Sequence, residues 1–446
     1  MKLRISLALL VLAASCDPQG ADWGFEAIDA MKTPADDPAR ACGATVPFDP
    51  MATRRASCTF ASGTHASESL GIDPKVLASL PIEHVIVVMR ENRSFDHVFG
   101  KLHDRGQPGV EAVPATFSNP DTQGKAVFPS RATTTCIPLD PGHQSAGILR
   151  GMNGGKMDGF VQNAAATTAS DGSFVMSYYD DTDLPFYYWL ATTFAVSDNH
   201  FAPMASGTYG NRDFLLFGTN QGVVDTGIVF PSPNTPSIFQ LLMTRGRTWR
   251  AYSDGALLSD TLNWKLGDPG TRGMQSFYDD LDRGTLPSVA FVDAVDYLED
   301  DHPEADLQRG EAWLKKLYDH AVVSPQWDKT AILWTYDEAG GFADHVPPPS
   351  GCLPLPSKSQ FTQMGPRIPL VAISPWAKRN YVSHVMHDHT AITRFIETMF
   401  DLPALTARDA NSDALLDMFD FSCGRDRSVL PAPGVGTGGC AVQPTR

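Results

Sequence analysis

The sequence predicts an α/β fold built on a mostly parallel sheet with helices on both faces. Short, near-continuously apolar runs recur from residue 82 onward, without the alternation of a half-exposed strand. Strands buried on both faces read this way. Segments of helical periodicity lie between the runs, and such alternation marks an open α/β sheet. Ligand-type residues also crowd the carboxyl ends of several runs, where sheets of this kind bind ligands.

The strand candidates, in chain order, are "HVIVVM" (84–89), "FAVSD" (194–198), "WRAYSD" (249–254), "SVAFVD" (288–293), "TAILWTYDE" (330–338) and "PLVAISPW" (369–376). Helical spacing appears at 310–322, with Trp313, Leu314 and Leu317 on one face. It appears again at 390–400, where Ile392, Phe395, Ile396 and Met399 repeat and Asp388 or Thr390 is available as a cap. Residues 76–422 read as one large domain, between an irregular arm (17–75) and a Pro/Gly-rich tail (423–446).

Residues 1–16 carry an export signature. Lys2 and Arg4 precede an apolar run, Leu7 to Ala14, too short to span a bilayer. The "LAASC" ending resembles a lipobox with Cys16 as the lipidated residue; cleavage near Ser15 is the alternative, because Ala13 stands where Leu, Val or Ile is commoner. Six further cysteines (Cys42, Cys58, Cys136, Cys352, Cys423 and Cys440) contain no C-x-x-C pair and suit three disulfides in an oxidising compartment. Unpaired buried thiols are the alternative. Proximity in sequence suggests Cys42–Cys58 and Cys423–Cys440, leaving Cys136 with Cys352. That last bridge would tie together two loops bearing His143 and His345. The net charge of −16 argues against nucleic acid and against attraction to anionic lipid.

Three strand candidates end in oxygen donors: Glu91-Asn92, Asp337-Glu338 and Asp293. Pairs on separate strand ends can converge on one divalent cation, and such donors suit Mg²⁺, Ca²⁺, Mn²⁺ or Zn²⁺. The plainer reading is that Asp and Asn favour strand-to-loop turns. His143, His302, His345, His387 and His389 sit in polar loops near predicted strand ends, placed to steady an anion or protonate a leaving group. "SGTYGNRD" offers Ser206 and Thr208 at a helix start, either as a nucleophile or as an ordinary cap. There is no phosphate-loop spacing, no G-x-S-x-G, no H-E-x-x-H and no dinucleotide fingerprint.

"ENRSFDHVFG", "DPGH" ahead of "NGGKMDGF", "GTYGNR", "DDHPEADLQRGE", "YDEAGGFADHVPPP" and "GPRIPLVAISPW" followed by "HDHTAITRFIETMF" occur in one order across residues 82–420. In this the chain resembles the phosphoesterase superfamily of bacterial phospholipases C and acid phosphatase A. The resemblance implies an alkaline-phosphatase-like core. It implies Glu91, Asn92, Asp337 and Glu338 as metal ligands, and Thr208 as nucleophile with His143, His302 and His345. It also implies Asn211 and His389 at the substrate, and a divalent metal ion as cofactor. Asp301 stands where Glu is common. The expected function is an exported, acid-phosphatase-like phosphoesterase, since only about 25 residues follow Phe421, where long relatives carry β-rich modules. The alternatives are a phospholipase C acting on phospholipid at a membrane, and a non-catalytic periplasmic binding lipoprotein.

Overall fold

The structure is a computed structural model and describes residues 49–220, 222, 224–225, 236–255, 271–354, 362–422 and 428–436. Cys16, the lipobox, Cys42, Cys423 and Cys440 lie outside the described residues. Among those described, the central sheet has seven strands: β1 His84–Arg90, β2 Ala195–Ser197, β3 Trp249–Tyr252, β4 Val289–Asp293, β5 Thr330–Tyr336, β6 Leu370–Ile373 and β7 Tyr381–Ser383. Their order across the sheet is β7-β2-β6-β5-β1-β4-β3. β3, β4, β1 and β5 are mutually parallel, and β6 alone runs antiparallel to its neighbours β5 and β2. All six expected strands are present. The unanticipated one, β7, is three residues long and pairs in parallel with β2 at the edge.

Six helices matter for the site: α1 Pro185–Thr193, α2 Thr208–Phe217, α3 Ile238–Thr244, α4 Met274–Arg283, α5 Leu307–Ala321 and α6 His389–Phe400. On one face of the sheet, Ile86, Val88, Val292, Trp334 and Val371 share a core with α1, α4 and α5. Side chains alternate along a strand, so Phe291 points to the other face, where Phe239 of α3 packs on it at 5.0 Å. α2 and α6 lie together, Thr393 Oγ1 donating to Leu215 O at 2.8 Å. α6 is buried on every side, and Asp388 caps it by accepting from Thr390 N at 2.8 Å.

The arm expected to be irregular contains three short helices, Ala52–Ala56, Ala66–Leu70 and Pro74–Ala78. Its disulfide differs from expectation as well. Cys58 pairs with Cys352, 294 residues away, so neither Cys42–Cys58 nor Cys136–Cys352 forms. Cys136 is itself disulfide-bonded. The Cys58–Cys352 bridge clips the arm to the loop after His345, and loops near in space need not be near in sequence.

Sequence reasoning also missed Glu311. This residue of α5 is buried, and its carboxylate accepts from Phe186 N (2.6 Å), Tyr187 N (3.1 Å) and Gly436 N (2.9 Å). It thus caps the first turn of α1 and docks the C-terminal segment, with Ala432 and Val435 packed on the same core. Burial outweighs these donors and pushes the carboxyl up to about 7. A folded-state value above the ordinary 4.5 means that the native state holds the proton longer. The associated stability is therefore full below about pH 4.5 and declines as pH rises towards 7. Replacing Glu311 with Gln should remove that decline. The stability difference between wild type and Glu311→Gln, from urea melts at pH 4.5 and 7.5, should change by up to about 3 kcal/mol. A difference independent of pH would refute the coupling.

Candidate active site

Strand register builds the site. Arg90 of β1 lies beside Tyr336 of β5, and Met89 beside Asp293 at the end of β4. The next residues out, Glu91-Asn92 and Asp337-Glu338, therefore emerge side by side with Asp293 adjacent. Asp337 N donates to Arg90 O at 2.9 Å, so pairing continues one step past the strands. Asn92 turns the chain with φ 62°, a left-handed conformation that Asn tolerates. Gly340, at φ +63°, packs against that turn, where an added Cβ would lie 2.1 Å from Asn92 O.

Thr208 opens α2, and its hydroxyl donates to Glu91 Oε2 at 3.3 Å. One turn on, Arg212 pairs with Glu91 Oε1 through Nη2, and its Nη1 donates to Asp293 Oδ2 at 2.6 Å. Asp337 Oδ1 accepts from Asn92 N (2.9 Å) and Glu338 N (2.7 Å). Its Oδ2 is buried without a hydrogen-bond partner among the described residues, 3.9 Å from Arg212 Nε. Burial, reinforced by Asp337, pushes Glu91 well above the usual carboxylate range despite Arg212. Burial raises Asp293 too. Glu91, Asp293 and Asp337 thus share one guanidinium.

One end of the Asn92 amide lies 2.8 Å from Glu338 Oε1 and 3.1 Å from Asp337 Oδ1; the other lies 2.8 Å from His302 Nε2. His302 Nδ1 is already 2.8 Å from Pro303 O. With the amide nitrogen towards the carboxylates, both His302 nitrogens would have to donate, which requires an imidazolium. Burial pushes His302 down, so the neutral ring is favoured. The opposite orientation satisfies a neutral His302, which donates to Pro303 O and accepts from the amide. Three oxygens then converge, and either a proton on Glu338, pushed up to about 8 by burial, or a cation must separate them. The oxygen donor set, the excess negative charge and the unmet Asp337 Oδ2 all fit a divalent ion.

The cavity at these strand ends has a volume of about 680 Å³, and its lining includes Glu91, His143, Thr208, Tyr297, Asp300 and His302. His143 Nδ1 faces Pro141 O (2.9 Å) and Asp140 (3.2 Å), and its Nε2 is 3.9 Å from Glu338. Burial opposes its charge, but Glu338 and Asp140 outweigh burial and push the imidazole up to about 10.

Of the expected site residues, Glu91, His143, Thr208 and His302 line this cavity, while Asn92, Asp337 and Glu338 are buried beside it. His345 does not line it; its Nδ1 bonds Asp96 Oδ2 at 2.7 Å, in a cluster with Asp344 and Arg367. The Asn211 side chain is spent on backbone, donating to Ser206 O and Gly207 O and accepting from Met204 N, so it braces the turn ahead of Thr208. His389 is buried, with its nitrogens on Asn211 O (3.1 Å) and Tyr336 O (2.9 Å), bridging α2 to β5. Sequence reasoning missed Arg212 and Asp140. Arg212 stands four residues after Thr208 and so shares its helix face, which was the available signal.

Residues 82–403 match the phosphoesterase family. The chain belongs to that family. It is a hydrolase acting on phosphoric ester bonds. This phosphoesterase is 30% identical over 375 residues to the non-specific phospholipase C1 of Arabidopsis thaliana, covering 74% of this chain and 69% of that protein. It is 29% identical over 409 residues to phospholipase C B of Mycobacterium tuberculosis, covering 76% and 78%. A solved protein of the alkaline phosphatase superfamily from Vibrio parahaemolyticus superposes with TM-score 0.35 at 13% identity, covering 71% of this chain and 78% of that one.

Within the phosphoesterase, Arg212 is the buried counter-charge for Glu91 and Asp293. Arg212→Met should therefore destabilise it by about 3–5 kcal/mol in urea melts near neutral pH. A loss under about 1 kcal/mol would mean that the carboxylates tolerate each other without the guanidinium.

Proposed function

We propose that this phosphoesterase is a phosphodiesterase of the phospholipase C type that works through a covalent phosphothreonine at Thr208. The observation that carries the reading is the Thr208 hydroxyl at the start of α2, held on Glu91 beside the buried Asp337-Glu338 pair. Backbone N–H groups of that helix start favour an anion there. Glu91, Asn92, Asp337 and Glu338 would hold a divalent ion, which when bound supplies positive charge next to the nucleophile and the phosphoryl oxygens.

The chain's own residues supply the rest. Glu91 Oε2 takes the Thr208 proton, and Oγ1 forms a bond to phosphorus as the bond to the leaving oxygen breaks. His143, charged near neutral pH, donates from Nε2 to that oxygen. Water then attacks phosphorus, giving its proton back to His143, and the bond to Oγ1 breaks as Thr208 recovers its proton.

Cavity charge supports a diester over the phosphomonoester expected of an acid-phosphatase-like enzyme. Its wall carries Asp140 and Asp296, together with Glu91 and Asp300 whose carboxyls burial pushes up, against Arg150 and His143. A dianionic monoester is repelled by such a wall more than a monoanionic diester whose head group is cationic. The named relatives are phospholipases C, which supports the same substrate class. An exported location, with Cys16 as a lipid anchor, is part of this proposal. The Cys58–Cys352 disulfide suits it, and no described helix is long and apolar enough to cross a membrane.

Purified chain should hydrolyse p-nitrophenyl phosphorylcholine faster than p-nitrophenyl phosphate, and chelation should suppress both. Thr208→Ala should lose at least about 10³-fold in kcat while Thr208→Ser keeps turnover. Near-wild-type rates in Thr208→Ala would remove the nucleophile assignment. A preference for the monoester would return the acid-phosphatase-like reading. Hydrolysis of neither, with a ligand-induced rise in Tm, would favour a binding protein.

A further inference from the structure

A second cluster of metal-ligating groups lies apart from the cavity. His387, Asp413 and Asp417 each offer a donor atom, all within 4.8 Å of one another. His387 precedes α6, and the two aspartates flank Leu415, whose φ of 58° turns the chain between them. We propose that these three side chains form a structural site for Zn²⁺.

The state of His387 carries the inference. It is 1% exposed, and its Nε2 has no hydrogen-bond partner among the described residues although Asp413 Oδ1 lies 3.4 Å away. Its Nδ1 is 3.2 Å from Ser197 Oγ. Donation from Nδ1–H to that hydroxyl leaves Nε2 a bare lone pair aimed at the carboxylates, the tautomer that a ligating histidine needs. Asp417 Oδ1 is likewise buried without a partner among the described residues, while its Oδ2 accepts from Tyr381 OH at 3.2 Å. A charged His387 paired with Asp413 alone would leave Asp417 Oδ1 unmet.

Separation and charge agree with a small divalent ion. Bonds of about 2.0–2.1 Å in a tetrahedron place ligand atoms roughly 3.3 Å apart, close to the His387–Asp413 separation. One imidazole nitrogen with two carboxylate oxygens suits Zn²⁺ better than Mg²⁺ or Ca²⁺, which prefer all-oxygen shells. Arg55 contacts both Asp49 and Asp413, Nη2 lying 3.3 Å from Asp413 Oδ2. Three carboxylates against one guanidinium leave two negative charges for the ion to neutralise. A cavity of about 190 Å³ bounded by Arg55, Asp388 and Arg408 reaches the cluster at Asp413.

Bound there, Zn²⁺ would fasten the 413–417 turn to the ends of β2 and β7, through Ser197 and Tyr381. His389, two residues on, holds α2 against β5, so the staple would steady the floor beneath Thr208 without touching substrate.

The test uses the full chain carrying Asp337→Ala, which removes one of the four cation ligands proposed at the active site. After dialysis against Zn²⁺ and removal of free ion, elemental analysis should find one zinc per chain, and Zn²⁺ should raise Tm. Adding Asp417→Asn or, separately, His387→Gln should abolish both the zinc and the Tm response. In the otherwise wild-type chain, Asp417→Asn should keep phosphoesterase turnover at temperatures well below its Tm. No zinc in the Asp337→Ala chain, or zinc retained after both further substitutions, would overturn the site. Should either double variant fail to fold, Asp413→Asn in the Asp337→Ala chain replaces it: loss of the zinc and of the Tm response supports the site, and retention of both overturns it.

Discussion

Crowded carboxylates in a place with little water are the condition around which this molecule is organised. Two unit charges 4 Å apart at an effective dielectric of about 20 interact by roughly 4 kcal/mol, and Glu91, Asp293, Asp337 and Glu338 crowd a single cluster. The parallel pairing β5-β1-β4 makes the crowding unavoidable, since it delivers their carboxyl ends to one edge in register. Three features answer it. Arg212 supplies one buried positive charge; burial raises Glu91 and Glu338 so that a proton can neutralise what Arg212 cannot; and Asp337 Oδ2 is left for a cation. Weakness in any one loads the other two.

The sheet was legible because its strands are buried on both faces, which imposes continuous apolar runs. β7 was not: "YVS" is short, half-exposed at the edge, and held only by β2. Site residues were legible where they sit at strand exits, because a strand's end fixes where the next side chain emerges. Glu91, Asn92, Asp337 and Glu338 meet as their positions in sequence imply. Asn211 came from the resemblance alone, His345 and His389 from their polar loops as well, and here each is engaged by neighbouring protein groups. Whether a polar side chain faces a cavity or a neighbouring carbonyl depends on packing between distant segments, which one sequence does not display. Glu311 was invisible for the same reason, and Arg212 showed only in its spacing from Thr208. A charged residue on a helix reads as solvated until another element covers it.

Backbone conformation explains why the two strand exits tolerate so little variation. The turn at Asn92 needs positive φ, and its carbonyl then points at Gly340, where there is no room for a Cβ. Glu338 Oε2 in turn accepts from Gly340 N at 2.6 Å, fixing the carboxylate whose other oxygen meets the Asn92 amide. "REN" and "DEAGG" therefore act as one unit though some 250 residues separate them. Side-chain chemistry at the site is set by this backbone contact before any ligand arrives.

The two cavity histidines show how neighbours rather than residue type assign roles. Their rings are 6.0 Å apart and both feel Asp140, yet one is pushed up and the other down. Glu338 makes the difference: it faces His143 Nε2, whereas His302 presents its Nε2 to the Asn92 amide. Once His143 is charged it opposes a second charge so close by, which reinforces the burial that keeps His302 neutral. The site thus holds one ring that favours its charged form and one that favours its neutral form. For the proposed cation site the neutral ring would matter as much, because it leaves the amide oxygen towards the carboxylates; a charged His302 would turn the amide nitrogen there instead.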